Sequence, residues 1–150
     1  MKTNTLLARL ARPHLWQLAF GCFWLALIVS THVPPQFPGL PVHGVDKLAH
    51  FSAYAMLAGL AAVNWQIAAG QLTFRHLRWV WIAVVLFGVV DELTQPAFHR
   101  DASVYDWIAD AIGAAVGLTL FVVVRAWVQS RRKAIGSLHE EDATSPCSVP

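Results

Sequence analysis

The sequence predicts an all-α protein, a four-helix transmembrane bundle with both termini in the cytoplasm. Three observations predict it. Four stretches are apolar and long, about Leu15 to Val33, Leu48 to Ala69, Leu77 to Gln95 and Ser103 to Val128, with only short connections between them. A hydrocarbon core of roughly 30 Å needs about 20 such residues per helix. Nine of the eleven Lys and Arg residues fall on one side of the topology that these stretches imply. Six of the nine acids, Asp46, Asp91, Glu92, Asp101, Asp106 and Asp110, fall at the opposite end of the helices. With 56% hydrophobic and 13% charged residues in 150, the composition suits one integral membrane domain better than a soluble one.

Residues 1–14 form a short cytoplasmic segment, 15–130 the helical domain and 131–150 a disordered cytoplasmic tail. Helix 1 follows Lys2, Arg9 and Arg12, a pattern that a cleavable signal peptide shares. The apolar run is long for a signal, holds Trp16 and Trp24, and ends in His32-Val33-Pro34-Pro35 with no small-residue cleavage pattern, so it is expected to stay as a helix. Pro34, Pro35, Pro38, Gly39, Pro41 and Gly44 make the next connection irregular.

Asp46, His50 and Tyr54 follow at i, i+4 and i+8, which puts all three on one face of helix 2. Asp46 suits either a helix N-cap or a functional carboxylate, and Lys47 can reach the interface with its long stem. A histidine one turn into an apolar helix needs a hydrogen-bonding partner, so His50 is read as the mate of a carboxylate or as a chemical group. Helix 3 has an uninterrupted apolar core of only 12 residues, Trp79 to Val90. That is too short to span alone, so Asp91, Glu92 and Gln95 are drawn into the membrane edge before Pro96 stops the helix. Adjacent carboxylates point about 100° apart, so at most one of Asp91 and Glu92 faces a given partner squarely.

Helix 4 opens at Ser103 with Asp106 three residues on, which suits a capping box lacking its usual Glu or Gln. No cap explains Asp110, which counting back from Arg125 places one turn inside the bilayer, on the face of Asp106, Gly113 and Gly117. The Gly113-x-x-x-Gly117 spacing lets another helix backbone come close, inside the bundle in preference to a homodimer seam.

The orientation follows from the cations. Lys2, Arg9 and Arg12, then Arg75 and Arg78, then Arg125, Arg131, Arg132 and Lys133 mark the cytoplasmic side, leaving Lys47 and Arg100 at the other. Trp16, Trp65, Trp79, Trp81, Trp107 and Trp127 lie near segment ends, as an interfacial belt does. Cys22 and Cys147 are too far apart in this topology for a disulfide.

These residues together resemble the VanZ-like family of small four-helix membrane proteins. The resemblance runs from Asp46 to Gly117 and rests on Asp46-Lys47-x-x-His50-x-x-x-Tyr54, Glu92-x-x-Gln95, and Arg100 followed by Asp106 and the Gly113 and Gly117 helix. It departs from the family pattern at Asp110, where Asn is usual. The resemblance implies a bacterial inner-membrane, multi-pass protein of the cell envelope. The namesake is an accessory protein of low-level resistance to the lipoglycopeptide teicoplanin, and no accepted reaction comes with the family.

Whether the chain is an enzyme stays open at this stage. The first reading is an acid/base site with His50, Glu92 and Asp106 as catalytic candidates. Asp46, Lys47, Tyr54, Gln95, Arg100 and Asp110 are then ligand-binding candidates, with Arg100 placed either to neutralise the acids or to hold an anion. Its partners are membrane lipids and a lipid-linked cell-wall ligand. The second is a non-catalytic scaffold whose polar residues tie helices together. A proton or small-solute pathway needs polar stations through the whole thickness, and beyond the cluster there are only Asn64, Gln66 and Thr119. No cofactor motif is present, and no H-E-x-x-H spacing supports a metal, although His50 with Glu92, Asp106 or Asp110 has suitable ligand types. Nothing points to nucleic acid.

Overall fold

The computed structural model describes residues 13–33, 42–70 and 72–144, and these residues form helices with no strand. α1 spans Pro13–His32, α2 Val42–Ala69, α3 Phe74–Thr94 and α4 Val104–Thr144, with one 3₁₀ turn over Gln95–Phe98. The basic residues before Pro13, the loop prolines Pro34 to Pro41 and Cys147 lie outside the described residues.

Local chemistry sets the boundaries. Pro13 starts α1, where its missing N–H and fixed φ fit the first turn. Gly70 ends α2 with φ of 81°, the left-handed conformation that glycine adopts without a Cβ penalty. Thr73, extended at the start of α3, donates its N–H to His76 Nδ1 at 3.3 Å. Pro96 converts the end of α3 into the 3₁₀ turn, and His99 at φ 61° reverses the chain toward α4.

Two boundaries differ from the sequence reading. α2 begins at Val42, so Gly44 is helical and Asp46 sits inside the helix instead of capping it. α4 runs on to Thr144, so residues 131–144, expected as disordered tail, continue the helix. At 41 residues it is roughly 60 Å long, and its polar last turns extend far beyond its apolar part. By length and composition two helices could cross a membrane, Pro13–His32 and Val104–Ile135. α2 and α3 do not meet the same test, although both are longer than 18 residues.

α2 and α4 make the closest pair. A Cβ built on Gly113 would collide with the backbone of Phe51, and one on Gly117 with the backbone of Ala55, while Ala58, Ala62 and Ala114 are fully buried. The small-residue seam is therefore internal, as expected, and lets two backbones meet without intervening side chains. Gly117→Ala is expected to cost about 1–3 kcal/mol, because backbone cannot rotate out of the way. Gly21→Ala in α1, with nothing within 4 Å, supplies the control. Melting of both variants in detergent checks this, and equal melting temperatures would contradict the close α2–α4 approach.

The burial pattern is inverted relative to a soluble bundle. Thr31, His50, Asp91, Glu92, Gln95, Asp106 and Asp110 are buried, while Leu18, Leu25, Leu48, Leu93 and Val104 are all more than 60% exposed. The largest fully buried side chains are Tyr54, Gln95, Asp91 and Asp110. The apolar face thus points outward and the polar groups point in.

Candidate functional site

The buried polar groups gather at one pole, where α1 and α3 end and α2 and α4 begin. Asp91 and Glu92 face different partners there, as their angular separation requires. Asp91 Oδ1 accepts from Thr31 Oγ1 at 2.8 Å and lies 3.6 Å from His32 Nδ1, and its Oδ2 accepts from the Tyr54 hydroxyl at 3.4 Å. His32 reaches on through Nε2 to Thr94 Oγ1 at 2.9 Å and packs edge-on against Phe98. Asp91 thereby links α1, α2 and α3.

Glu92 turns the other way. Its Oε2 accepts the backbone N–H of Ser103 at 2.7 Å, tying α3 to the start of α4. That is the N–H a capping box would have given to Asp106, so the capping reading of Asp106 fails. Asp106 instead lies 3.5 Å from Lys47 Nζ.

His50 and Asp110 form the centre. His50 Nδ1 is 3.0 Å from Asp110 Oδ1, with side chains 4% and 0% exposed. One ligating atom from each of His50, Glu92 and Asp110 lies within 4.8 Å of the others, and the same holds for Asp46, His50 and Asp106. His50, Glu92 and Asp106, expected to meet within the reach of a hydrogen bond or one water, therefore converge around the imidazole. The unanticipated direct partner is Asp110.

Arg100 takes the first of its two expected roles and pairs with an acid. It donates through Nη1 to the carbonyls of Thr31 at 3.0 Å and Ser30 at 3.3 Å, and through Nη2 to Asp46 Oδ1 at 3.4 Å. The left-handed turn at His99 aims it back at the last turn of α1, whose carbonyls have no helical partners and whose dipole favours a cation. Arg100 is thus occupied inside the protein and does not present an open fork to an anion. Gln95 is buried, and its carbonyl accepts the Arg100 N–H at 3.3 Å.

Four buried atoms at the pole have no hydrogen-bond partner among the described residues: Glu92 Oε1, Gln95 Nε2, Asp106 Oδ1 and Asp110 Oδ2. Five acids, Asp46, Asp91, Glu92, Asp106 and Asp110, stand against two permanent cations, Lys47 and Arg100. A histidine oriented by a carboxylate, with a second carboxylate in reach, can take or give a proton. Thr31 and His32 were missed by the sequence reading. Their signal was a polar pair closing an apolar helix, noticed only as a junction without a cleavage pattern.

Below the pole a cavity of about 760 Å³ opens between α1, α2 and α3, lined by Phe20, Trp24, Leu57, Trp79, Val84 and Phe87 among others. Phe87 of the cavity wall stacks on the buried Tyr54 at 6.0 Å, and the Tyr54 hydroxyl donates to Asp91, so one ring separates cavity and pole. Trp81 and Trp107, expected only as belt residues, also cross between helices, donating to the carbonyls of Ala111 at 3.0 Å and Val85 at 3.2 Å. At the other end, Asn64 donates to the carbonyls of Trp16 and Leu60 and Thr119 to that of Ala115, so these groups satisfy local backbone and form no chain of stations.

A family model described as VanZ/LLP1 matches residues 5–125. No curated protein and no solved structure matches the chain.

Proposed function

Since the chain belongs to the VanZ/LLP1 family, we propose that it is a multi-pass protein of the bacterial inner membrane whose polar pole handles the head of a lipid-linked envelope molecule. The termini lie in the cytoplasm and the pole faces outward, because the cations concentrate at the opposite end. The observation that carries this reading is an aromatic cavity whose Phe87 stacks on Tyr54, the ring that hydrogen-bonds Asp91 of the buried polar cluster. An acyl or prenyl chain fits the cavity, which leaves its head beside Tyr54 and Asp91 and within reach of the cluster. His50 is the proton-transfer group, Asp110 orients it, and Glu92 and Asp106 are the carboxylates that exchange protons with the ligand or with water. With Arg100 and Lys47 engaged internally, neither is the primary anion holder.

Photo-crosslinking tests this. A lipid-linked cell-wall precursor with a photoreactive group in its chain should label Trp24, Leu57 or Phe87 saturably, and labelling confined to the outer face of α4 would contradict it. Orientation has its own check. A reporter active only outside the cytoplasm should be silent when fused after Pro150 and active when placed near Gly39, and the reverse pattern would turn the pole to the cytoplasm.

A second reading is favoured by the Arg100 and Asp91 bridges, which tie α1 to three other segments. In it the pole is structural and the protein acts by holding a partner.

A further inference from the structure

We propose that His50, Glu92 and Asp110 bind one divalent transition-metal ion, of the Zn²⁺ or Mn²⁺ class. The inference goes beyond the proposed function, since an ion here would hold α2, α3 and α4 together whether or not a reaction follows.

The argument begins with geometry. Three helices each contribute one ligand atom, and all three atoms lie within 4.8 Å of one another. Donors about 2.1 Å from a shared ion sit roughly 3–4 Å apart, so the side chains need to close by about an ångström at most. His50 and Asp110 at 3.0 Å are already that near.

Hydrogen bonding gives the independent observation. Glu92 Oε1 and Asp110 Oδ2 belong to side chains more than nine-tenths buried, and neither oxygen has a partner. Glu92 Oε2 is fixed by the Ser103 N–H, which holds that carboxylate in place with Oε1 left over. The ion would stand where the proton shared by His50 Nδ1 and Asp110 Oδ1 now lies, so both of those atoms become ligands when it binds. An orphaned carboxylate oxygen away from water is costly, and a cation removes that cost.

Charge separates this set from its neighbour. Asp46 and Asp106, which form the other set around His50, are already matched by Arg100 at 3.4 Å and Lys47 at 3.5 Å. Neither cation pairs with Glu92 or Asp110. Two carboxylates with a neutral imidazole balance a dication, whereas the other set would bring a dication up against two existing cations. One imidazole with two carboxylates suits Zn²⁺ or Mn²⁺ better than Ca²⁺, which takes six to eight oxygen ligands. Three protein ligands would leave a coordination position open, as catalytic zinc sites do. The spacing His50…Glu92…Asp110 hid this in the sequence, because the three donors come from three helices and no short motif contains two of them.

The test uses full-length protein purified in detergent without a polyhistidine tag, with Zn²⁺ and Mn²⁺ each added alone. Equilibrium dialysis with metal analysis should give one tightly held equivalent of at least one ion, and the melting temperature should rise with occupancy. Glu92→Gln, which keeps an oxygen for the Ser103 N–H, should weaken binding at least about tenfold, as should Asp110→Asn. Asp46→Asn should bind within a few-fold of the parent. If Asp110→Asn fails to fold, Glu92→Gln decides alone. Less than half an equivalent at saturating metal, binding unchanged in Glu92→Gln, or binding lost in Asp46→Asn but kept in Glu92→Gln would each overturn the proposal. No turnover or lipid is involved, so failure here leaves the proposed function to its own crosslinking test.

Discussion

Replacing Asp110 by alanine is expected to cost on the order of 3–5 kcal/mol of stability, the range seen when one partner of a buried ionic pair is removed. For a chain of this length that lowers the melting temperature by on the order of 10 °C. The loss has three sources on the page. His50 Nδ1 loses its 3.0 Å partner with no water-exposed alternative, a fully buried position is left as a void against Gly88 and Tyr54, and α2 loses a polar tie to α4. Asp101→Ala, at an exposed position of the connecting segment, should stay within about 0.5 kcal/mol. Thermal melting of both in detergent checks this, and equal shifts would mean that the His50–Asp110 pair does not hold the pole.

The second large effect concerns Arg100. Arg100→Gln removes the donor of two α1 carbonyls and the counter-ion of Asp46, and hydrogen bonds to charged groups contribute about 1.5–3 kcal/mol each before their coupling is considered. The expected result is a fall of about 3 kcal/mol, together with faster amide exchange confined to the last turn of α1, the segment whose carbonyls Arg100 caps. Arg75→Gln, at an exposed position in the first turn of α3, removes the same charge and should change neither. If Arg100→Gln leaves α1 exchange and melting untouched, Arg100 is free for the ligand-holding role that the sequence suggested.

How much of this was legible beforehand depends on the range of each interaction. Helix number, the internal glycine seam and the gathering of His50, Glu92 and Asp106 followed from periodicity and from the position of polar groups along apolar runs, which are local signals. The extent of α4 did not. Glu140, Glu141 and Asp142 make a polar tail, yet residues 131–144 hold no proline, and the helix continues through Gly136. Pairing was the other hidden part. Asp110 was placed on the α4 face of Asp106, Gly113 and Gly117, but its choice of His50 over another donor rests on how closely Gly113 and Gly117 bring α4 to α2. The choice between the two roles of Arg100 was hidden for a related reason. Its charge is visible in the sequence, whereas the left-handed turn at His99 that points it into the protein is a backbone conformation few non-glycine residues adopt. Asp91 was noticed and then set aside, because its partners Thr31 and His32 lie 60 residues away in the first helix.

The account stands or falls on whether the pole performs chemistry or only joins helices, and Glu92→Gln separates these directly. The substitution keeps the side chain's shape and an acceptor for the Ser103 N–H while removing the carboxylate. Melting temperature of metal-free protein in detergent is measured beside survival, on a lipid-anchored glycopeptide, of cells expressing the parent or the variant. If the pole performs chemistry, the parent protects and the metal-free variant melts within a few degrees of it without protecting; a fall in melting temperature that accompanies the loss, or protection that persists in a stable variant, would contradict this.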